Sequence, residues 1–158
     1  MTAARALILS SLAILLGCAT EKSAAAPAPK TYDVPLTTAA EVPVCAAAGP
    51  NATGKATIAI APDDSSISTT VTYSGLSGDV TAAHIHAGAA GVAGPVVLPY
   101  SAPFTSPFTK TFTAADYVAA PNAPPDFPSF LTMLKSGGAY INVHTAACKP
   151  GEIRGQIQ

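Results

Sequence analysis

Three histidines stand in two short segments of the chain, and imidazole is the commonest metal-binding side chain. The first segment contains His84 and His86 in a His-X-His pattern, and the second contains His144. Residues two apart on a β-strand share one face, with Cα atoms about 6–7 Å apart, which is close enough to bind one ion. With His144 as a third ligand, the pattern predicts a site for copper or zinc that keeps one coordination position open.

Charged residues accompany the histidines. Glu152 and Arg154 follow His144 in the second segment, and Glu41 lies far upstream. Glu41 and Glu152 are candidate additional ligands, or partners that fix a histidine tautomer. Arg154 could instead pair with Glu152 or Glu41 and hold the strand ends together.

A second interpretation of the same residues needs no metal. His84 and His86 could be polar-face residues bonded to the glycine-rich loop 88–94, and His144 could belong to a structural cluster with Glu152 and Arg154. No catalytic residues are predicted, because no serine or cysteine lies in a nucleophile motif and no phosphate-binding glycine loop is present. A copper redox enzyme is a third interpretation. It would need copper with an open position, and no second, zinc-binding loop is visible in the sequence.

Period-two alternation of apolar residues dominates the rest of the chain and predicts strands. In the segment 55–61, Ala56, Ile58 and Ile60 share one face. A turn then leads to the segment 68–74, which completes a hairpin. Further short strands are predicted at residues 80–86, 95–100, 108–112, 140–145 and 152–158. Many short strands with regular turns favour an all-β fold, an antiparallel sandwich or barrel.

One helix is predicted among the strands. Phe127, Phe130, Leu131 and Leu134 recur at helical spacing, and Gly137 follows. This pattern indicates a short amphipathic helix over residues 128–135.

The last two predicted strands form a hairpin whose faces can be assigned. Ile141 and Val143 point to the core, so His144 lies on the opposite face. The connecting turn at residues 148–151 places His144 opposite Glu152 or Arg154.

The N-terminal segment resembles the leader of an exported protein. Residues 1–17 contain one arginine and an apolar run of signal-peptide length, which ends at Cys18. The sequence around Cys18 resembles the lipobox of bacterial lipoproteins, which implies a lipid anchor on Cys18 and, since no aspartate follows, the outer membrane of the cell envelope. The alternative is an ordinary secretory leader cut near Ala26. Residues 18–31, rich in alanine and proline, then form a tether to one domain at residues 32–158.

The cysteine content and the net charge indicate which compartment and which partners to expect. Cys45 and Cys148 remain as a pair once Cys18 is lipidated, and an oxidising compartment favours a disulfide between them. Free thiols or metal ligation are the alternatives. The formal net charge is −1, so nucleic acid is not an expected partner, because no basic patch is available to neutralise phosphates.

Five motifs together resemble a known family, the CHRD domain, named after chordin and present in many bacterial exported proteins. They are Ala-Glu-Val-Pro at 40–43, Ser-Gly-Leu-Ser-Gly at 74–78, Ala-Ala-His-Ile-His-Ala-Gly at 82–88, Asn-Val-His-Thr at 142–145 and Gly-Glu-Ile-Arg-Gly-Gln-Ile at 151–157. The resemblance spans residues 32–158 and implies architecture and location more than activity. Many members have a plainer turn where this chain has Cys148-Lys149-Pro150-Gly151, a difference that supports the disulfide.

The expected architecture is immunoglobulin-like or similar to Cu/Zn superoxide dismutase, a sandwich that also binds copper through a His-X-His strand. The expected function is that of a membrane-anchored envelope module, a non-enzymatic binding protein with a copper or zinc ion at its three histidines. The alternative is an interaction, adhesion or scaffold module whose histidines are structural.

Overall fold

The computed structural model describes residues 27–158. The predicted signal peptide at residues 1–17, the lipidation site Cys18 and most of the tether predicted at 18–31 lie outside the described residues. None of the helices in the described range is long and apolar enough to cross a membrane.

Eight antiparallel strands form one sheet that is nearly closed into a barrel, which confirms the all-β prediction. The strands are β1 (Lys30–Thr37), β2 (Thr53–Ile60), β3 (Ser66–Ser74), β4 (Val80–Ala87), β5 (Val96–Pro99), β6 (Phe108–Thr113), β7 (Ala139–Thr145) and β8 (Ile153–Ile157). Their order in the sheet is β5-β4-β7-β8-β1-β2-β3-β6. The two edge strands approach each other, since Lys110 Nζ on β6 donates to the Pro99 carbonyl on β5 at 3.4 Å.

The barrel interior is filled by the alternating apolar residues of the strands. On β2, Ala56, Ile58 and Ile60 are buried as their spacing predicts. Strand β1 was not predicted, although Tyr32, Val34 and Leu36 alternate in the same way and are buried. It begins at Lys30, two residues before the predicted start of the domain, and pairs with β2 along its whole length.

The predicted helix is present as α1, Phe127–Lys135. The Asp126 carboxylate accepts a hydrogen bond from the Ser129 backbone at 2.8 Å and caps the first turn. The four residues at helical spacing, Phe127, Phe130, Leu131 and Leu134, are the buried ones. Two short 3-10 helices, Thr38–Ala40 and Ala114–Asp116, complete the regular structure of the described residues.

The β7–β8 hairpin has the predicted faces. Val143 pairs with Ile153, and both are fully buried in the barrel. Asn142 pairs with Arg154 on the outer face. Of the two partners considered for His144, this register excludes Arg154 and favours Glu152.

The predicted disulfide between Cys45 and Cys148 is present and joins positions separated by 103 in the sequence. It joins the segment after the first 3-10 helix to the β7–β8 turn. The disulfide therefore ties the segment that contains Cys45 to the turn that follows β7.

Candidate metal centre

The three histidines lie on the outer face of two neighbouring strands. On β4, Ala83 and Ile85 point into the barrel, so His84 and His86 project from the opposite face. Strand β7 lies beside β4 and carries His144 on that same face. All seven residues of β7 are buried, because loops cover the outer face as the core covers the inner one.

The side chains converge, as the sequence predicts. One ligand nitrogen from each of His84, His86 and His144 can be chosen so that all three lie within 4.8 Å of one another. His84 Nδ1 and His144 Nε2 are 3.0 Å apart. The His84 and His86 rings meet edge to face, with centroids 5.5 Å apart.

Backbone carbonyls fix the tautomers of two of the rings. His86 Nδ1 lies 2.9 Å from the Gly94 carbonyl, and His144 Nδ1 lies 2.9 Å from the Lys149 carbonyl. A carbonyl can only accept, so both Nδ1 atoms carry the hydrogen and both Nε2 atoms present a lone pair. His84 Nδ1–H then donates to His144 Nε2. His86 Nε2 is buried and has no partner among the described residues.

The spacing suits one small ion after a modest contraction. Two nitrogens that bind tetrahedral zinc at about 2.0–2.1 Å lie about 3.4 Å apart, and a trans pair on tetragonal copper lies about 4.2 Å apart. The widest separation here is no more than 4.8 Å, and the closest measured pair is 3.0 Å. Transfer of the His84 proton from Nδ1 to Nε2, together with side-chain rotations that shorten the widest separation by roughly 1 Å, would bring the three nitrogens to one ion.

Burial keeps the imidazoles neutral, which is the form that binds metals. It lowers the pKa of His84 to about 4, with further lowering by His144 and His86. It also lowers the pKa of His86 to about 4, although the Gly94 carbonyl opposes the shift. The pKa of His144 falls for the same reason, against the opposing hydrogen bond to Lys149. Near neutral pH the cluster therefore carries no charge that would repel a cation.

Comparison with known families identifies the domain. The family described as the CHRD domain matches residues 32–157. The chain belongs to the CHRD family. No curated protein and no solved structure gives a significant match to it.

Behind His86, the CHRD domain contains a stack of three side chains. The His86 imidazole lies against the Tyr140 ring, and the Arg154 guanidinium carbon lies 3.4 Å from the Tyr140 ring centroid. The Tyr140 hydroxyl donates to the Gly94 carbonyl at 3.3 Å and accepts from the Gly94 amide at 3.0 Å. Tyr140 and Arg154 both lie on the outer face of the β7–β8 hairpin. Their stacking was not predictable from the sequence, because it depends on the loop that holds them.

Glu41 approaches the face of the CHRD domain that carries the histidines, but it does not reach them. Both of its carboxylate oxygens accept from Asn142 Nδ2, at 2.9 and 2.8 Å. Burial raises the pKa of Glu41 to about 7, although Arg154 and Asn142 act against the shift. The side chain is only 4% exposed, so Glu41 helps to close the outer face of the sheet.

Glu152 serves a different part of the CHRD domain. Its carboxylate accepts hydrogen bonds from the Gly49 amide, from the Ser77 amide and hydroxyl, and from the Thr145 hydroxyl, at 2.6–2.9 Å. Burial raises the pKa of Glu152, but these hydrogen bonds outweigh it and leave the pKa below its usual value. Glu152 thus joins three segments of the backbone. Neither it nor Glu41 belongs to the group that could bind one ion within residues 27–158.

Proposed function

We propose that this CHRD domain is a non-enzymatic binding module that holds one copper or zinc ion through His84, His86 and His144. The observation that carries the proposal is the buried Nε2 of His86, which has a free lone pair and no partner among the described residues. Leaving a buried polar atom unpaired costs about 1–3 kcal/mol. Metal binding would remove that cost.

The surroundings of the histidines support the same proposal. Metal-binding histidines usually donate their second N–H to a carbonyl or carboxylate. His86 and His144 already do so, to Gly94 and Lys149. Both rings are therefore oriented before an ion arrives. Copper is the first candidate and zinc the second, because imidazole sites bind Cu²⁺ more tightly than Zn²⁺. Bound copper would supply one-electron chemistry, and bound zinc would act as a Lewis acid.

Metal analysis of protein purified without a histidine tag tests the proposal. We expect one equivalent of copper or zinc after loading and dialysis, and a raised melting temperature. The His86→Ala and His144→Ala variants should lose the ion, whereas Ser68→Ala, on the exposed side of β3, should retain it. Substoichiometric metal together with unchanged melting would refute the site. Turnover of superoxide or peroxide by the copper form would instead favour a redox enzyme.

A structural role for the histidines is the second candidate, and one observation favours it. Each ring has at least one hydrogen bond without any metal: His84 with His144, His86 with Gly94 and His144 with Lys149. The module would then act in adhesion or as a scaffold. In that case the His84→Gln variant would unfold at a lower temperature, and added copper or zinc would shift no melting curve.

We further propose that the domain is exported and anchored to the cell envelope, at the outer membrane, through a lipid on Cys18. The disulfide between Cys45 and Cys148 supports export, because such bonds persist in oxidising compartments. Labelling with a radioactive fatty acid should mark the wild-type protein but not Cys18→Ser. A mature N-terminus near Ala26 would instead indicate an ordinary secretory leader.

A further inference from the structure

We propose that the cleft beside Arg154, on the far side of Tyr140 from the histidines, binds a small monocarboxylate. This site is separate from the proposed metal centre. The guanidinium of Arg154 would bind the carboxylate, and the small apolar residues of the cleft would contact a short carbon chain.

The cleft lies between two segments that cover the outer face of β8. Ala39 and Val42 line it from the segment that follows β1, and Ala90 and Gly91 line it from the β4–β5 loop. Arg154 also lines the cleft, whose volume is about 290 Å³. The space is sufficient for a molecule of a few heavy atoms together with water.

Arg154 lacks a close counter-ion. Its side chain is only 2% exposed, yet no carboxylate among residues 27–158 lies within 4.0 Å of its nitrogens. Nη2 donates to the carbonyls of Ala89 and Val92, at 3.1 and 3.0 Å, and the Tyr140 ring covers one face of the guanidinium. These three direct partners are neutral, and Glu41, which interacts electrostatically with Arg154, lies more than 4.0 Å from its nitrogens. A desolvated cation with neutral partners attracts an anion strongly.

The rest of the guanidinium is available to a ligand. Within the described part of the chain, neither Nε nor Nη1 donates a hydrogen bond. A guanidinium presents its N–H groups in a rigid fork that matches the two oxygens of a carboxylate. Arg154 can therefore keep its two carbonyl partners and still bind an anion in the cleft.

Glu41 also lines the cleft, but it does not take the place of the anion. Both of its oxygens are already bonded to Asn142 Nδ2. Burial raises the pKa of Glu41 to about 7, so near neutral pH a large fraction of this group is uncharged. Repulsion between Glu41 and an incoming carboxylate is reduced accordingly.

The composition of the walls selects an organic carboxylate over an inorganic oxyanion. Methyl and methylene groups of Ala39, Val42 and Ala90 can cover a short alkyl chain, which gains free energy on leaving water. Phosphate carries a larger charge and offers no apolar surface to these side chains. Propionate is therefore a suitable probe, and propionamide has the same shape without the charge.

The test is a titration of metal-free wild-type protein in a chelator, followed by NMR of backbone amides. We expect propionate to shift the Gly91 amide saturably, with a dissociation constant of about 1 mM, and propionamide to give no saturable shift. Equal shifts with both compounds, or tighter binding of phosphate than of propionate, would overturn the proposal. Because the chelator removes metal throughout, the outcome does not depend on the proposed metal centre.

Variants at the rim of the cleft test the proposal even if a variant of Arg154 does not fold. Ala39 is exposed at the edge of the cleft, so charge can be introduced there without disturbing the core. Ala39→Lys should bind propionate several-fold more tightly and Ala39→Asp several-fold more weakly, with the difference reduced by added salt. Arg154→Gln should abolish binding. If Arg154→Gln does not fold, the Ala39 pair decides, and equal affinities in that pair would refute the site.

Discussion

The His86 imidazole lies nearly parallel to the Tyr140 ring, with 8° between the planes and 4.6 Å between the centroids. The two rings also share one partner, because the Gly94 carbonyl accepts from both His86 Nδ1 and the Tyr140 hydroxyl. Tyr140 thus determines the tilt of a candidate metal ligand and the position of the carbonyl that orients it.

Removing the Tyr140 ring should weaken metal binding without removing a ligand. In Tyr140→Leu the His86 ring loses its stacking partner, and Gly94 loses the hydroxyl that holds it. We expect copper or zinc affinity to fall about 10–100-fold, the usual effect of changing residues that orient a ligand. Competition with a chromophoric chelator measures this. Tyr140→Phe, which keeps the ring, should lose less, and an unchanged affinity in Tyr140→Leu would show that the stack does not orient His86.

Acid should destabilise the metal-free protein below neutral pH. The pKa values of His84 and His86 are about 4 in the folded protein and about 6.5 when unfolded. Between these values the unfolded chain binds more protons, so the free energy of unfolding falls as pH decreases. Urea unfolding at several pH values measures the slope. A flat profile between about pH 6.5 and about pH 4 would contradict the burial of neutral imidazoles.

Glu41 should oppose that acid sensitivity. Its pKa is raised to about 7 in the folded protein, against about 4.3 in an unfolded chain. Here the folded protein binds the extra proton, so stability increases as pH falls through this range. Glu41→Gln removes this contribution, and its free energy of unfolding should therefore fall more steeply with acid than that of the wild type.

Gly151 should tolerate no side chain. Its φ is +141°, and a Cβ there would lie 2.5 Å from each carboxylate oxygen of Glu41 and close to Asn142 Nδ2. Gly151→Ala should therefore destabilise the protein by about 2–4 kcal/mol, through overpacking and backbone strain. Gly78→Ala is the matched control, because nothing lies within 4 Å of a Cβ at that position. Chemical denaturation that finds the two variants equally stable would contradict this packing.

Much of the fold could be predicted because strand alternation is a local signal. The faces of β2, β4, β7 and β8 follow directly from residues such as Ile58, Ile85 and Ile141. The histidine cluster was predictable for the same reason, since period two sets the face of His84 and His86. Strand β1 shows the same alternation at Tyr32, Val34 and Leu36, and it was missed because those residues stood next to a segment interpreted as a tether.

The surroundings of the cluster could not be predicted, because they depend on contacts between segments distant in sequence. Nothing local indicates that the Lys149 carbonyl orients His144. The same holds for Glu152, whose spacing from His144 suggested a shared site. Its hydrogen bonds to Gly49 and Ser77 depend instead on how two distant loops meet.

The strand order has a consequence for the time at which the domain can fold. Strand β8 lies between β7 and β1, so until Ile153–Ile157 has been synthesised the sheet consists of two separate halves, β5-β4-β7 and β1-β2-β3-β6. Neither half can close the barrel, and each leaves an open strand edge where β8 will insert. The domain should therefore complete folding only after β8 has left the ribosome. A chain that cannot close its barrel earlier remains unfolded, and so able to pass through a translocation channel, for longer than a chain whose first strands form a complete core.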